Sequence, residues 1–476
     1  MSVRDRVPGR GGVRRSWRTR SGAAALAAVM GATLVACGSG GGRPTLSVYA
    51  PADGASTIAD VAPKCTTPQY DLRVYALPKD ADGQRLQLAR RVTGNDKTLD
   101  IMGMDVTWTA EFAEAGWARQ APDDVAAHIK DKVLPGPLKT AMWQDKLYAV
   151  PAWTNTQLLW YRKDSLEKVL GKKITKPPQL TWDQILDYAQ KSRAIGGPAQ
   201  IESQAAQYEG LVVWFNTLLE SAGGKMVADD GKTVTLTDTP EHRAATVKAL
   251  TIMKQVATAP GHDPSFTQLK ENDGRLAMEA GKALFQVNWP FVFAGIRENA
   301  AGGAVPFLPE LKKYAASVKE PSDAQLREMN ALIQKKFDFA PYPSVQAGKP
   351  AKNTIGGVNF AVSSTSRYPD FAFAAIDCLT NTAAEKQYAL SGGTPPVLPS
   401  LYDDPDFVKA YPMAGIIKAQ LQDDTAAVRS PTPLYQAMST LLQAKLSPVG
   451  SWDPSALANT LSDAAEKALS QKGLIP

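Results

Sequence analysis

Three short apolar segments constrain this chain most. Residues 46–49, 72–77 and 99–103 have the length and the β-branched or aromatic content of strands, and each gap between them reads as a helix. The first helix covers 55–62 and is stopped by Pro63; the second is the amphipathic stretch 84–92. Alternation at this spacing predicts an α/β sheet, mostly parallel, because parallel strands need a crossover between them. Residues 147–151 and 158–161 read as further strands, parted by a polar interruption. Thr181, three residues ahead of Gln184, has the pattern of a capping box and predicts a helix to Arg193. Beyond about 406 the chain reads as mainly helical, including 434–446 and 454–469.

The N-terminus speaks of export. Seven arginines between Arg4 and Arg20 precede an apolar run over 23–36, which is shorter than the roughly 20 residues a membrane span requires. It ends in Leu34-Val35-Ala36-Cys37, the pattern of a lipobox. We therefore expect a signal peptide over 1–36, with a lipidated Cys37 and a glycine-rich tether over 37–44. The alternative is a chance cysteine behind a signal peptide. With no second apolar run of spanning length, the lipid is the only membrane attachment expected, on the extracytoplasmic face. The signal's seven arginines and Asp5 account for the whole formal charge of +6, leaving 46 basic and 46 acidic residues. Such balance shows no electrostatic footprint for nucleic acid. Cys65 and Cys378 remain, and in an exported chain they read as a disulfide, the alternative being two buried inert thiols. About 440 mature residues exceed what one core sustains, so two domains are expected.

Reactive constellations are scarce. His128, His242 and His262 lie far apart in polar stretches and have no metal-site spacing. No phosphate-binding glycine loop, dinucleotide fingerprint or nucleophile elbow occurs. No metal, no cofactor and no catalytic residue is expected. Carboxylates are numerous enough that a secreted glycoside hydrolase stays open, as does a surface lipoprotein with no transport role. What stands out is amide and aromatic chemistry where strands end, in Trp153-Thr154-Asn155-Thr156-Gln157 and Asn288-Trp289-Pro290-Phe291. Sugars need planar groups for paired hydrogen bonds and a ring to stack on. The competing reading of each aromatic is core packing.

These segments resemble the carbohydrate-binding proteins, family 1 type, of ABC importers. The run from Pro151 to Asp164 is similar to that family's first crossing between lobes. Gly281-Lys282-Ala283 leading to Asn288-Trp289-Pro290 resembles the segment with its stacking tryptophan, and 354–362 its return crossing. Further stretches, among them 84–91 and 209–216, place the likeness nearest the family's trehalose-binding members. The resemblance implies an α/β two-lobed periplasmic-binding-protein fold with discontinuous lobes closing about a hinge. Lobe one would hold 45–154 and 355–408; lobe two would hold 155–354 and 409–476. It implies that Asp53, Gln84, Asp105 and Asn155 reach a disaccharide, trehalose before others, joined by Glu271 from the far side. Trp289 and Phe291 would form an apolar wall. Gly357 and Val358 would offer backbone groups, and Arg429 would clamp hydroxyls or hold Asp105. Expected partners are the sugar and the importer's permease subunits, the protein itself being a monomer without enzymatic activity. The segment 314–336 departs from the pattern and is left unassigned.

Overall fold

The computed structural model describes residues 43–422 and 424–471. The signal segment, Cys37 and most of the tether lie outside the described residues. The predicted alternation is present as β1 (Thr45–Ala50), α1 (Ala52–Val61), β2 (Asp71–Ala76), α2 (Ala81–Thr93) and β3 (Ile101–Asp105). Pro63 closes α1 into a tight turn over Ala62–Cys65, and Asp80 caps α2 by accepting from Gly83 N at 2.8 Å. The strand expected at 147–151 begins only at β4 (Val150–Asn155), because Lys146–Leu147 pairs back in a two-residue hairpin with Met142–Trp143. After Thr156 and Gln157 comes β5 (Leu158–Arg162). The capping box holds: Thr181 Oγ1 accepts from Gln184 N, and the Gln184 side chain accepts from Thr181 N, opening α3 (Trp182–Ala194). A cap of this kind is worth about 1 kcal/mol.

The remaining elements that place the site follow in order. They are β6 (Gln200–Glu202), α4 (Glu209–Ser221), α5 (Glu271–Glu279), β7 (Ala283–Asn288) and α6 (Phe291–Ala301). Then come β8 (Phe337–Ala340), β9 (Gly356–Val362), α7 (Pro369–Leu379), α8 (Tyr435–Leu446) and α9 (Pro454–Leu469). The unassigned segment 314–336 contains a helix over Asp323–Ile333, capped by Ser322.

Among the described residues the two large sheets are ordered β2-β1-β3-β9-β4 and β8-β5-β7-β6, beside two two-stranded pairs. The expectation of a mostly parallel sheet is corrected here. Within these two sheets β1–β2, β1–β3 and β6–β7 run parallel, whereas β9 is antiparallel to β3 and β4, and β5 is antiparallel to β8 and β7. The reason is topological. Strands joined by helical crossovers pair parallel. By contrast, β4 carries the chain out of the first sheet and β9 brings it back, so those two oppose each other.

Each sheet is buried on its own terms. The first is wrapped by a core that includes Leu46, Val48, Ile101, Trp153 and Phe360. In β5 successive residues part company: Leu159 and Tyr161 enter one core, Leu158 and Trp160 another. Side chains alternate across a strand, so this apolar run serves a sheet covered on both faces. Two lobes thus form around two sheets, and the chain passes between them at Thr156-Gln157 and again at Ile355. The span 355–408 divides between cores, with Tyr388 and Val397 in the first lobe's core and Ala389, Leu398, Tyr402 and Phe407 in the second lobe's. Cys65 and Cys378 are bonded, their Cα atoms 5.6 Å apart, and both pack with the first lobe's core. No helix among the described residues is long and apolar enough to cross a membrane.

Candidate functional site

The crossings bring strand ends together. Asp105 closes β3 opposite Val358 of β9, and the pairing of β9 with β4 runs on to Gly356 opposite Asn155. Gly357 has φ +132°, and a Cβ there would lie 2.4 Å from the Trp153 carbonyl oxygen, so only glycine fits. At Gly356 a Cβ would meet the Trp289 ring at 3.0 Å and Asn155 Cβ at 3.2 Å. The indole of Trp289, half-buried, therefore lies on the returning strand beside Asn155, whose Oδ1 is buried without a hydrogen-bond partner. Trp289 follows β7 directly, and its neighbour Asn288 donates Nδ2 to the Glu271 carbonyl at 2.8 Å, tying β7 to the start of α5. Trp153, by contrast, is core: it packs edge-on against Phe360 and Tyr388.

Charge is concentrated on the other side of this junction. Arg429, 5% exposed, donates Nη1 to Glu209 Oε1 at 2.6 Å, and its Nη2 lies 3.4 Å from both Asp105 Oδ1 and the Ile355 carbonyl. Glu209 Oε1 also accepts from Tyr435 Oη at 2.7 Å, and Oε2 accepts from Ser439. Burial pushes the Glu209 carboxyl above the usual range, while Arg429, Ser439 and Tyr435 pull it back. Burial works against the charged guanidinium of Arg429, but Asp105, Tyr435 and Glu209 outweigh it and the proton is held more firmly than in an ordinary arginine. Asp105 Oδ1 is fixed within its own turn by Thr107, through N at 3.0 Å and Oγ1 at 2.8 Å. Next to Glu209, the phenol of Tyr208 is raised well above its usual range, first by burial and then by the Glu271 carboxylate beside it. The start of α4 therefore links the Glu271 side of the site to the Arg429 side.

The expected residues divide accordingly. Asp105 and Arg429 are in contact, and Asn155, Trp289, Gly356 and Gly357 are neighbours. Gln84 is buried and spends its Nε2 on the Pro78 carbonyl at 3.0 Å. Val358 is 7% exposed, its side chain in the first lobe's core and its backbone between Asp105 and Trp153. Phe291 opens α6 against the second lobe's core and the backbone of Gly393. Asp53 lies in the first turn of α1, whose Gly54 packs under the Trp153 ring. Sequence reasoning missed Tyr208, Glu209, Tyr435 and Ser439. One signal was available: Glu209 is the lone acid heading the apolar run Gly210–Phe215. The histidines lie elsewhere, His128 near Asp377 and His242 against Asp238. No cluster of three or more His, Cys, Asp or Glu fit for a metal occurs among the described residues.

Beneath the site lies a buried acid. Glu202 ends β6, paired with Gln286 of β7 and packed on Gly274 of α5. Neither carboxyl oxygen has a hydrogen-bond partner, and burial, helped by Asp263, pushes the carboxyl up to about 8. Between 4.5 and about 8 the unfolded chain has released this proton and the folded chain has kept it, so stability falls as pH rises through that window. Glu202→Gln should raise the thermal midpoint at pH 7 and change it little at pH 4, as read by calorimetry. An equal shift at both values would mean that the carboxyl titrates normally.

With this geometry in view, comparison with known proteins is direct. The profile described as "Bacterial extracellular solute-binding protein" matches residues 74–386, and the chain belongs to that family. A probable ABC transporter-binding protein of Deinococcus radiodurans is 27% identical over 353 residues, spanning 72% of this chain and 73% of that one. Among solved structures, the maltose-bound MalE3 of T. maritima superposes with a TM-score of 0.73 at 22% identity, over 89% of this chain and 99% of its own. The GacH receptor of Streptomyces glaucescens, solved unliganded and with acarbose, gives 0.70 at 20% identity over 90% and 100%. The two-lobed α/β architecture is theirs as well.

Proposed function

We propose that this protein is the lipid-anchored, extracytoplasmic substrate-binding component of an ABC sugar importer. In this reading it holds a glucose disaccharide, trehalose before maltose, and hands it to the permease as a monomer. One observation carries the reading: at the crossing between lobes an indole, a buried amide oxygen and a strand-end carboxylate converge on one junction. A sugar needs that combination of stacking face and planar hydrogen-bonding groups. The name of the Deinococcus relative and the maltose and acarbose held by the structural neighbours agree with it. The preference for trehalose rests on the likeness of 84–91, 105–112 and 209–216 to the mycobacterial trehalose-binding lipoprotein of a trehalose-recycling importer.

A thermal-shift screen of the mature domain against a small sugar panel tests the class. A binder gains about 2.7 kcal/mol at a hundredfold excess of ligand over Kd, with no sugar consumed. Turnover would make it a glycosidase, and no shift with any sugar would leave a lipoprotein without this role. The anchor is tested separately: the full-length chain should enter a detergent phase and Cys37→Ala should not. A mutant that still partitions there would remove the anchor.

A further inference from the structure

We propose that Glu209 is a positioning residue of the sugar site, acting through Arg429 to keep Asp105 available to the ligand. The inference rests on the sugar-binding reading of that site. Glu209 itself is not offered as a ligand contact, because protein donors occupy both of its oxygens: Arg429 and Tyr435 on Oε1, Ser439 on Oε2. Its place is fixed from several directions. It is the first residue of α4, where the helix N-terminus favours an acid. Ser439, which holds Oε2, is in turn held by Gln443 Nε2 at 3.0 Å within α8.

The consequence falls on the guanidinium. An arginine beside a carboxylate tends to a two-point pair, and Arg429 lies between two carboxylates. Glu209 takes Nη1 at 2.6 Å, while Nη2 reaches Asp105 only at 3.4 Å and Nε has no partner. Held in this way, Arg429 touches Asp105 at Oδ1, the oxygen Thr107 already occupies, and leaves Oδ2 open to sugar hydroxyls. Without Glu209 the guanidinium is free to turn onto Asp105 with both remaining donors and compete with the sugar.

The test is a double-mutant cycle read on affinity, which a purely structural contribution would leave additive. Glu209→Gln should weaken disaccharide binding by about tenfold in the parent and by less than about twofold in an Arg429→Gln background. An equal loss in both backgrounds, or none in the parent, overturns the inference. If Glu209→Gln fails to fold, Glu209→Asp, which withdraws the carboxylate by one methylene, takes its place. A crystal structure of the empty Glu209→Gln protein separates this inference from the sugar reading. There Arg429 should form a two-point pair with Asp105, and an unmoved guanidinium overturns the proposal whatever the protein binds. Should the parent bind no sugar, the functional reading fails and the empty structure alone decides the role of Glu209.

Discussion

Arg429→Ala should cost about 3–5 kcal/mol of folding stability. The guanidinium is buried between Glu209 and Asp105, and its short bond to Glu209 is the main compensation for a carboxylate taken out of water. Removing one partner of a buried pair leaves the other uncompensated, which costs far more than the pair contributes while intact. Two comparisons sharpen the expectation. The loss should shrink at low pH, where Glu209 takes up a proton and needs no cation. Replacing both partners by apolar residues, Glu209→Leu with Arg429→Met, should cost much less than either change alone. Denaturant unfolding of the mature domain reads all three. If Arg429→Ala stays within about 1 kcal/mol of the parent, the guanidinium is not compensating a buried charge and the electrostatic account of the site fails.

The second large effect falls on binding. Trp289→Ala should weaken disaccharide affinity by about a hundredfold, equivalent to about 2.7 kcal/mol. The indole lies against Gly356 and keeps part of its surface uncovered beside Asn155, in the place where an apolar sugar face would pack. Trp289→Phe retains a ring of smaller area and should lose less. The empty protein should remain folded in both variants, because Trp289 is half-buried whereas the aromatics of the second lobe's cores, Trp160, Trp182 and Trp214 among them, are nearly or fully enclosed. Calorimetric titration reads the affinities. Parent-like binding by Trp289→Ala would move the stacking face elsewhere.

How much of this was legible in the sequence depended on how local each cause was. The capping box of Thr181 and Gln184 needs two residues three apart, and the structure contains both of its bonds. The strands of the first lobe and the helix Pro454–Leu469 carry their period in their own residues, and they emerged within a few positions of expectation. The mixed sheet was not legible, since the direction of β9 is set by where the chain comes from and not by anything in 356–362. The site's polar bonding was least legible of all. Arg429 and Glu209 are 220 residues apart, and Ser439 lies 230 from the carboxylate it binds. Nothing in the composition of either segment announces the other. Gln84 shows the converse: an amide in a suitable place is spent on the nearby Pro78 carbonyl, a choice made by loop geometry that no residue pattern displays. Asp105 was reached only through the family resemblance, since its carboxylate also serves its own turn by accepting from Thr107 and meets Arg429, 324 residues away.

The central claim is that this junction holds a disaccharide through Asp105 as well as through the indole. Titration calorimetry of trehalose into the mature domain and into its Asp105→Ala variant tests it most directly. A sugar hydroxyl deprived of its acceptor costs about 1–3 kcal/mol, so the variant should bind roughly ten- to a hundredfold more weakly, the empty protein staying folded with a lower unfolding midpoint because the Thr107 turn and the contact with Arg429 are lost. Equal binding by parent and variant would place the site elsewhere, and a parent that binds neither trehalose nor maltose would contradict the account.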